Sequence, residues 1–287
     1  MQRLLICLGI MLLAGCTTPA ARMPQAAPTT PAPDDNLNAV AWTQTSLVHD
    51  MIYREVYRHA TETLDKALAD PSWDALTAQD RHGDPSHLPP AVVLDVDETV
   101  LDNSPYQARL IRDHAQYDSA TWADWVREKT ARALPGAVDF TRYAAAHGIA
   151  VIYLSNRAQS LDKATLANLE AAGFPVSGPD AFLGLGTKVP GCRQVGTSKH
   201  CRRELVAGKY RVLVQVGDQV GDFMQLSGDT PAVRRAELKP YLKWVGRRWF
   251  VLPNPTYGSW ESALFHNDYK LDLRQRRAAK LKALRYH

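Results

Sequence analysis

The stretch Ala91–Tyr106, AVVLDVDETVLDNSPY, joins a short apolar run to a group of acids. The run Ala91–Leu94 is continuous and contains β-branched residues, which predicts a central parallel strand covered on both faces. Four carboxylates follow within eight positions, at Asp95, Asp97, Glu98 and Asp102. An apolar strand that ends in acids predicts a polar site at the carboxyl edge of a sheet.

Two further apolar runs end in polar residues in the same way. Ile149–Leu154 leads into Ser155, and Arg211–Val216 leads through a glycine into Asp218. In an open parallel sheet the carboxyl ends of the strands line the ligand crevice. We therefore expect Asp95, Ser155 and Asp218 to converge at one edge of the sheet.

Helical patterns separate these runs, at about 137–147, 160–172 and 198–208. Strands that alternate with helices predict an α/β fold with a doubly wound parallel sheet. Residues 107–134 have the pattern of a helical insertion after the first strand. Residues 36–69 have the spacing of a buried helix face, which predicts one long or two shorter helices there. The apolar positions of that face are Leu37, Val40, Ala41, Leu47, Val48, Met51, Ile52, Val56, Tyr57, Leu64 and Leu68.

The N-terminus has the layout of a secretory signal, with one early positive charge, an apolar run and small residues before Cys16. The sequence Leu13–Cys16 resembles the bacterial lipoprotein processing box, which implies a signal peptide over 1–15 and a lipid on the cysteine. Cleavage without a lipid is the alternative. The threonine that follows suggests an outer-membrane lipoprotein, facing the periplasm or the cell surface. Residues 16–35 predict a disordered, Pro/Ala-rich tether before a domain over 36–287.

The four cysteines divide into two groups. Cys7 belongs to the predicted signal and Cys16 to the predicted lipid site, which leaves Cys192 and Cys201 in an exported, oxidising compartment. A disulfide between these two is the favoured interpretation. A zinc site that also uses His200 competes with it, although the spacing lacks a paired C-x2-C unit. Free thiols are the third interpretation.

Charge does not indicate a nucleic-acid polymer as the partner. The formal net charge is +4, and no Lys/Arg block is interleaved with aromatic residues as a nucleic-acid groove would require. The basic run Lys270–Tyr286 allows two interpretations. The favoured one is a solvated helix that packs its leucines on the domain, and the other is a helix that lies against anionic lipid.

Several motifs together resemble one family. The sequence Asp95–Thr99 is similar to the D-x-D-x-T signature of the haloacid dehalogenase superfamily. The segments LDVDETVLDNSPY, RALPGAVDF, SNR, GDQVGDF and LPNPTYGSWE, in this order, resemble the class C bacterial acid phosphatases, the outer-membrane lipoprotein e family of 5'-nucleotidases. The likeness runs from about Asn36 to Leu264. It implies a haloacid dehalogenase-like sheet with a small helical cap and N-terminal helices, and a phosphomonoesterase.

The resemblance also implies roles for the acids. Asp95 would be the nucleophile that forms an aspartyl-phosphate, and Asp97, on the same side of an extended segment, would donate and accept the proton. Mg²⁺ would bind the Asp95 side chain, the Asp97 backbone carbonyl and the Asp218 side chain, with Asp222 supporting the metal. Gly221 departs from the family pattern, in which an acid is expected at that position.

The same resemblance implies that Ser155, Asn156 and Arg157 bind the substrate. Lys199 would supply the cation that balances the nucleophile and the transferring phosphate. Lys188 lies in the same connecting region, so the choice between the two lysines stays open.

The resemblance also implies that aromatic rings beside the site select the substrate. Tyr257 matches a ring that stacks on a nucleotide base in the resembling family, and Tyr106, Trp122 or Trp125 would supply the opposite face. Stacking tolerates any base, so broad use of nucleoside 5'-monophosphates is expected. The oligomeric state is not determined by these residues, and a homodimer is one option.

The alternative function is a surface lipoprotein that binds haem or a nucleotide-like ligand without turning it over. The histidines that this alternative would use are His49, His59, His87 and His114. None of them forms a paired spacing, so solvated surface histidines are the simpler interpretation.

Overall fold

The computed structural model describes residues 34–287. The predicted signal peptide over 1–15, the lipid site at Cys16 and nearly all of the tether lie outside the described residues. Among the helices of the described part, none is long and apolar enough to cross a membrane.

The strands and helices of the described part alternate along the chain. The strands are β1 (Pro90–Leu94), β2 (Leu101–Asp102), β3 (Arg132–Ala133), β4 (Ala150–Ala158), β5 (Phe182–Leu185), β6 (Arg211–Gly217) and β7 (Trp249–Val251). The α-helices are α1 (Leu37–Thr45), α2 (Leu47–Ala69), α3 (Ser104–Arg112), α4 (Ser119–Glu128), α5 (Ala137–Ala146), α6 (Asp162–Ala171), α7 (His200–Ala207), α8 (Val220–Phe223), α9 (Pro231–Leu238), α10 (Ser259–Ser262) and α11 (Leu273–Ala283). Short 3₁₀ helices occupy Gln159–Leu161, Pro179–Ala181, Lys239–Trp244 and Ala263–Phe265.

The central sheet has five strands in the order β5-β4-β1-β6-β7, and every neighbouring pair is parallel. This confirms the predicted α/β fold. The three predicted strands form its middle, and Leu94 at the end of β1 is in register with Tyr153 of β4 and Val216 of β6. The edge strands β5 and β7 were not predicted, because four and three residues carry too little pattern to identify a strand.

Both faces of β1 are buried, as its continuous apolar run predicts. Val92 and Leu94 belong to the hydrophobic cluster on one face of the sheet, and Ala91 and Val93 belong to the cluster on the other. Successive side chains of a strand point to opposite faces, so each residue of β1 contributes to a different cluster from its neighbour.

The N-terminal segment forms two helices that break at Ser46, whose hydroxyl accepts a hydrogen bond from the His49 N–H at the start of α2. The prediction of which residues face the core was wrong for Leu47 and Met51, whose side chains are 80% and 66% exposed. The prediction was correct for Tyr57 and Leu64, which are buried, and the buried face of α2 also carries Tyr53, which was not predicted. The hydroxyls of Tyr53 and Tyr57 donate to carbonyls of the loop after β1, at 2.6 Å and 2.7 Å, and these buried bonds fix the rotation of the helix.

The predicted helical insertion consists of α3 and α4. The short antiparallel pair β2 and β3 closes it, with Leu101 opposite Ala133. Within the insertion the Trp125 indole is buried, and its N–H donates to Asn103 Oδ1 at 2.8 Å. The insertion is therefore attached directly to the loop that follows β1.

The C-terminal basic run contains α11, and of its four leucines only Leu271, just before the helix, is half-buried. Leu273 and Leu281 are 59% and 48% exposed, and Leu284 just beyond the helix is also exposed. The favoured interpretation is correct in predicting a solvated helix and wrong in predicting that these three leucines pack on the domain. The contacts of α11 with the domain are made by Arg276, Arg277 and Lys280, which bond to backbone and carboxylate oxygens.

Candidate active site

Three carboxylates meet at the carboxyl edge of the sheet. Asp95, Asp218 and Asp222 each offer an oxygen atom, and these atoms lie within 4.8 Å of one another. Asp95 follows β1 and its N–H donates to Val216 O of β6 at 3.0 Å. Asp218 follows β6, and Asp222 lies on α8. The parallel pairing of β1 with β6 thus brings together acids that are more than 100 positions apart in the sequence.

The ammonium group of Lys199 lies in the same cluster. It forms ion pairs with Asp95 Oδ1 and, at 2.8 Å, with Asp222 Oδ1, and its side chain is 3% exposed. Lys188 is exposed. The structure therefore selects Lys199 from the two lysines that the sequence left open.

Burial changes the acidity of these groups. Burial raises the pKa of Asp95 well above its usual value, and the charges of Asp222 and Asp218 act in the same direction. For Asp218, burial followed by the charge of Asp222 raises the pKa to about 7. Burial alone would lower the pKa of Lys199, but the charges of Asp222 and Asp95 outweigh it and raise that pKa.

The donor set fits a hard divalent cation. With all groups ionised, the three carboxylates and one ammonium leave two uncompensated negative charges, and each of the three acids offers an oxygen ligand. Oxygen ligands are those that Mg²⁺ and Ca²⁺ prefer in proteins. The Asp97 side chain is not part of this cluster, so only its backbone carbonyl remains available for the ligand role that the sequence predicted.

The Asp97 carboxylate is held by three donors. Asn103 Nδ2 and Arg157 Nε each donate to Oδ1 at 2.9 Å, and the Ser155 hydroxyl donates to Oδ2 at 3.2 Å. These bonds give the carboxylate one orientation next to the three-acid cluster.

The side chains of the SNR segment are engaged mainly within the protein. The Ser155 hydroxyl also accepts the Arg157 N–H at 3.0 Å. The Asn156 amide oxygen accepts from Arg202 at 2.7 Å. Arg157 is fully buried, with its guanidinium 5.7 Å from the centre of the Trp122 ring. Of the three predicted substrate-binding residues, Asn156 and Arg157 therefore act on protein partners in this structure.

Tyr257 reaches the edge of the site from the loop after β7. Its hydroxyl donates to Glu98 Oε2, while Glu98 Oε1 accepts the Asn103 N–H at 3.0 Å. Glu98 is buried and adopts φ +55°, a left-handed conformation rarely found for a non-glycine residue. Burial, followed by the charge of Asp97, raises the pKa of Glu98 well above its usual value.

Comparison with known proteins decides the family. The family model described as "HAD superfamily, subfamily IIIB (Acid phosphatase)" matches residues 26–260. This chain belongs to that family. Phosphatases of this superfamily generally depend on a divalent metal, which agrees with the oxygen donors of the three-acid cluster.

Solved structures of class C acid phosphatases are similar over nearly the whole chain. The enzyme from Bacillus anthracis has a TM-score of 0.76 and 31% sequence identity, over 88% of this chain and 97% of that one. The structure of the Bacillus anthracis enzyme with tungstate bound has a TM-score of 0.75 and 30% identity.

The curated relatives are more distant. Vegetative storage protein 2 of Arabidopsis thaliana is 30% identical over 58% of this chain, and acid phosphatase 1 of Solanum lycopersicum is 26% identical over the same share. The matches span 55% and 57% of those two proteins, so this acid phosphatase chain matches little more than half of their length.

The disulfide that the sequence favoured is present in this family member. Cys192 and Cys201 are bonded, with Cα atoms 5.5 Å apart. The competing zinc site with His200 is wrong, because both sulfurs are used in the disulfide. The closed loop encloses Lys199, whose ammonium is in the three-acid cluster, so the covalent link limits the movement of the chain on both sides of that lysine.

The sequence analysis missed one group of residues behind the site. Asp80 is fully buried, its Oδ1 lies 2.7 Å from His200 Nδ1, and its Oδ2 accepts from Arg203 Nε at 2.8 Å. Arg203 also donates to Gly221 O at 2.8 Å. Through Arg203, Asp80 thus connects α7, the helix after Lys199, to α8, which carries Asp222. It lies in the segment between α2 and β1, which has prolines, a glycine and no helical or strand period, so no local signal identified it.

Gly217, the last residue of β6, and Gly221 of α8 differ in their surroundings. A Cβ atom at Gly217 would collide with the Asp222 side chain, so only glycine allows Asp222 to approach the end of β6. A Cβ atom at Gly221 would meet no atom within 4 Å. The position where the family pattern has an acid therefore has room for one in this chain.

Proposed function

We propose that this protein is a metal-dependent acid phosphatase that hydrolyses phosphomonoesters, with nucleoside 5'-monophosphates as its preferred class, outside the cytoplasm. The observation that carries the proposal is the cluster of Asp95, Asp218 and Asp222, in which the Lys199 ammonium pairs with Asp95 and Asp222. Phosphoryl transfer requires positioning and the cancellation of negative charge, and this cluster supports both.

Asp95 attacks the phosphorus atom in this proposal. The bond from carboxylate oxygen to phosphorus forms while the ester P–O bond breaks, which gives an aspartyl-phosphate and an alcohol. Lys199, bonded to Asp95 Oδ1, limits the rotation of the carboxylate and places a positive charge where the phosphoryl group arrives.

Asp97 moves the proton. It gives a proton to the leaving oxygen and then removes one from the water that hydrolyses the aspartyl-phosphate. Asn103, Arg157 and Ser155 hold its carboxylate ready for both steps.

The metal residues follow from the same cluster. Asp95, Asp218 and Asp222, with the Asp97 backbone carbonyl, would hold Mg²⁺. When bound, this cation neutralises negative charge on the phosphoryl oxygens and lets a carboxylate approach them. Gln219 and Asn254 each donate to Asp218 Oδ2 at 2.8 Å and thereby orient that carboxylate.

Oxyanion recognition is supported by a relative. The Bacillus anthracis enzyme binds tungstate, which is an oxyanion like phosphate. In this chain Ser155 and the backbone around Asn156 and Arg157, together with Lys199, would contact the phosphoryl oxygens.

Aromatic residues at the site edge would bind the base. Tyr257 is held by Glu98, which would fix its ring as one stacking surface. Tyr106 and Trp125 are buried in packing, so the other surface is assigned to Trp122 or to the exposed Tyr117, whose ring centre lies 6.4 Å from that of Trp122. Each stacked base contributes about 1–3 kcal/mol irrespective of its identity, so a broad preference is expected.

The location and domain boundaries remain proposals from the sequence. Residues 1–15 would be a lipoprotein signal, Cys16 the lipid-bearing residue of an outer-membrane lipoprotein, 16–35 a tether and 36–287 the phosphatase domain.

The test is release of phosphate from adenosine 5'-monophosphate, with and without EDTA. Asp95→Asn should abolish turnover and keep the fold, as judged by circular dichroism, whereas Asp229→Asn changes an exposed acid outside the site and should leave turnover unchanged. EDTA should remove activity and Mg²⁺ should restore it. Near-normal turnover by Asp95→Asn would refute the proposed nucleophile.

A further inference from the structure

The C-terminal end of the chain concentrates its positive charge. Residues 270–287 contain seven Lys or Arg and one Asp, a net charge of +6, whereas the whole chain is +4. Residues 1–269 are therefore net −2. Such a separation indicates an interaction surface for an anionic partner, because like charges on one helix repel one another unless a partner neutralises them.

The outward face of α11 combines cations with apolar side chains. Arg274 and Lys282 make no hydrogen bond or ion pair with any residue in the described range 34–287. Leu281 is seven positions after Arg274 and therefore lies on the same exposed side of the helix, and Leu284 and Tyr286 follow it, 56% and 73% exposed. Exposed leucines flanked by cations are typical of helices that lie at the surface of a lipid bilayer.

The inward face of α11 fixes the helix beside the start of the described domain. Arg277 forms an ion pair with Asp35, and Lys280 pairs with Glu261 at 2.5 Å. The proposed lipid site, Cys16, lies 19 positions before Asp35. A chain of that length spans at most about 65 Å when fully extended, so a lipid on the cysteine would keep α11 within reach of the membrane.

We propose that the outward face of α11, formed by Arg274, Leu281 and Lys282 and continued by Leu284 and Tyr286, docks on a membrane surface that contains anionic phospholipid. The cations bind lipid phosphate groups, and the leucines and the tyrosine enter the boundary between headgroups and acyl chains. The contacts of Arg277 and Lys280 with the domain keep the other side of the helix away from the lipid.

Amide hydrogen exchange of the full chain tests this docking. The chain is mixed with vesicles of phosphatidylcholine alone or of phosphatidylcholine with phosphatidylglycerol. On the anionic vesicles we expect the amides of α11 to exchange about tenfold more slowly than on the neutral ones, and high salt to remove the difference. An acylated chain is anchored to both vesicles, so the neutral vesicle isolates the contribution of the helix.

Two charge-reversed variants complete the experiment. Arg274→Glu with Lys282→Glu should abolish the protection, and because neither side chain has a partner among the described residues the fold should persist. Lys163→Glu with Lys209→Glu makes the same charge change at exposed positions outside α11. This control variant should retain the protection of the α11 amides on anionic vesicles. Equal exchange on both vesicles, or equal protection of the two variants, would overturn the proposal. Protection by an oligonucleotide but not by anionic vesicles would also overturn it, and would indicate a polyanion as the partner.

Discussion

The ammonium group of Lys199 lies between the carboxylates of Asp95 and Asp222, and its distance to Asp222 Oδ1 is 2.8 Å. One side chain therefore contacts both the proposed nucleophile and a proposed metal-site acid. The disulfide closes a loop around it, and the ion pairs of Asp80 with His200 and Arg203 hold the helix that follows it.

Replacing Lys199 by methionine should lower kcat about 100-fold or more, because it removes the cation that balances the nucleophile and the transferred phosphate. Lys188→Met is the matched control, since that lysine is exposed, and it should leave kcat unchanged. Steady-state phosphate release by the two variants checks the prediction. Equal kcat values would show that the lysine has no role in turnover.

The raised pKa of Asp218 predicts a dependence of stability on pH. The folded-state pKa is about 7 against an ordinary 3.8, so the group stabilises the fold while it is protonated, and this contribution is lost as the pH rises from about 4 through about 7. We expect the EDTA-treated protein to melt at a lower temperature at about pH 8 than at about pH 5. Mg²⁺ takes the place of the proton, so its stabilising effect should grow over the same range.

The control for this pH effect is Asp218→Asn, which has no titrating group at that position. Its melting temperature in EDTA should fall less between the two pH values than that of the unchanged protein. The same slope in both proteins would assign the pH dependence to other groups.

Asp80→Asn should destabilise the protein by about 3–5 kcal/mol, because it leaves the fully buried Arg203 guanidinium without its charged partner. It should also weaken activation by Mg²⁺, since Arg203 donates to backbone carbonyls of α8, the helix that carries Asp222. Urea unfolding and the Mg²⁺ concentration needed for half-maximal turnover measure the two effects. Glu204→Gln, which contacts His200 from a partly exposed position, should change unfolding by less than about 1 kcal/mol.

Removing the disulfide with Cys192→Ser and Cys201→Ser should lower the free energy of unfolding by about 2–3 kcal/mol. A short closed loop restricts the unfolded chain by roughly that amount. Because the loop encloses Lys199, kcat should fall as well. Dithiothreitol should reproduce the loss of stability in the unchanged protein but have no effect on the double variant. A reductant-sensitive double variant would contradict this explanation.

Much of the fold could be predicted because its signals are local. The apolar runs at β1, β4 and β6 end in polar residues, and parallel strands place those ends at one edge. The edge strands β5 and β7 could not be predicted, because a strand of three or four residues is too short to show a hydrophobic pattern. The face of α2 was mispredicted at Leu47 and Met51 because hydroxyl bonds from Tyr53 and Tyr57 decide its rotation.

The sequence by itself determined the alternation of strands and helices and the positions of Asp95, Asp97 and Asp218 at strand ends. It could do so because hydrophobic periodicity, and the polar or turn residues that end it, depend only on residues close together in the chain. Only the tertiary structure decided that Lys199 rather than Lys188 enters the acid cluster, that Asp80 supports it from behind, and that α11 leaves its leucines exposed. Those outcomes depend on which groups meet across long separations in the chain, and such meetings are set by packing and by the pairing of buried charges.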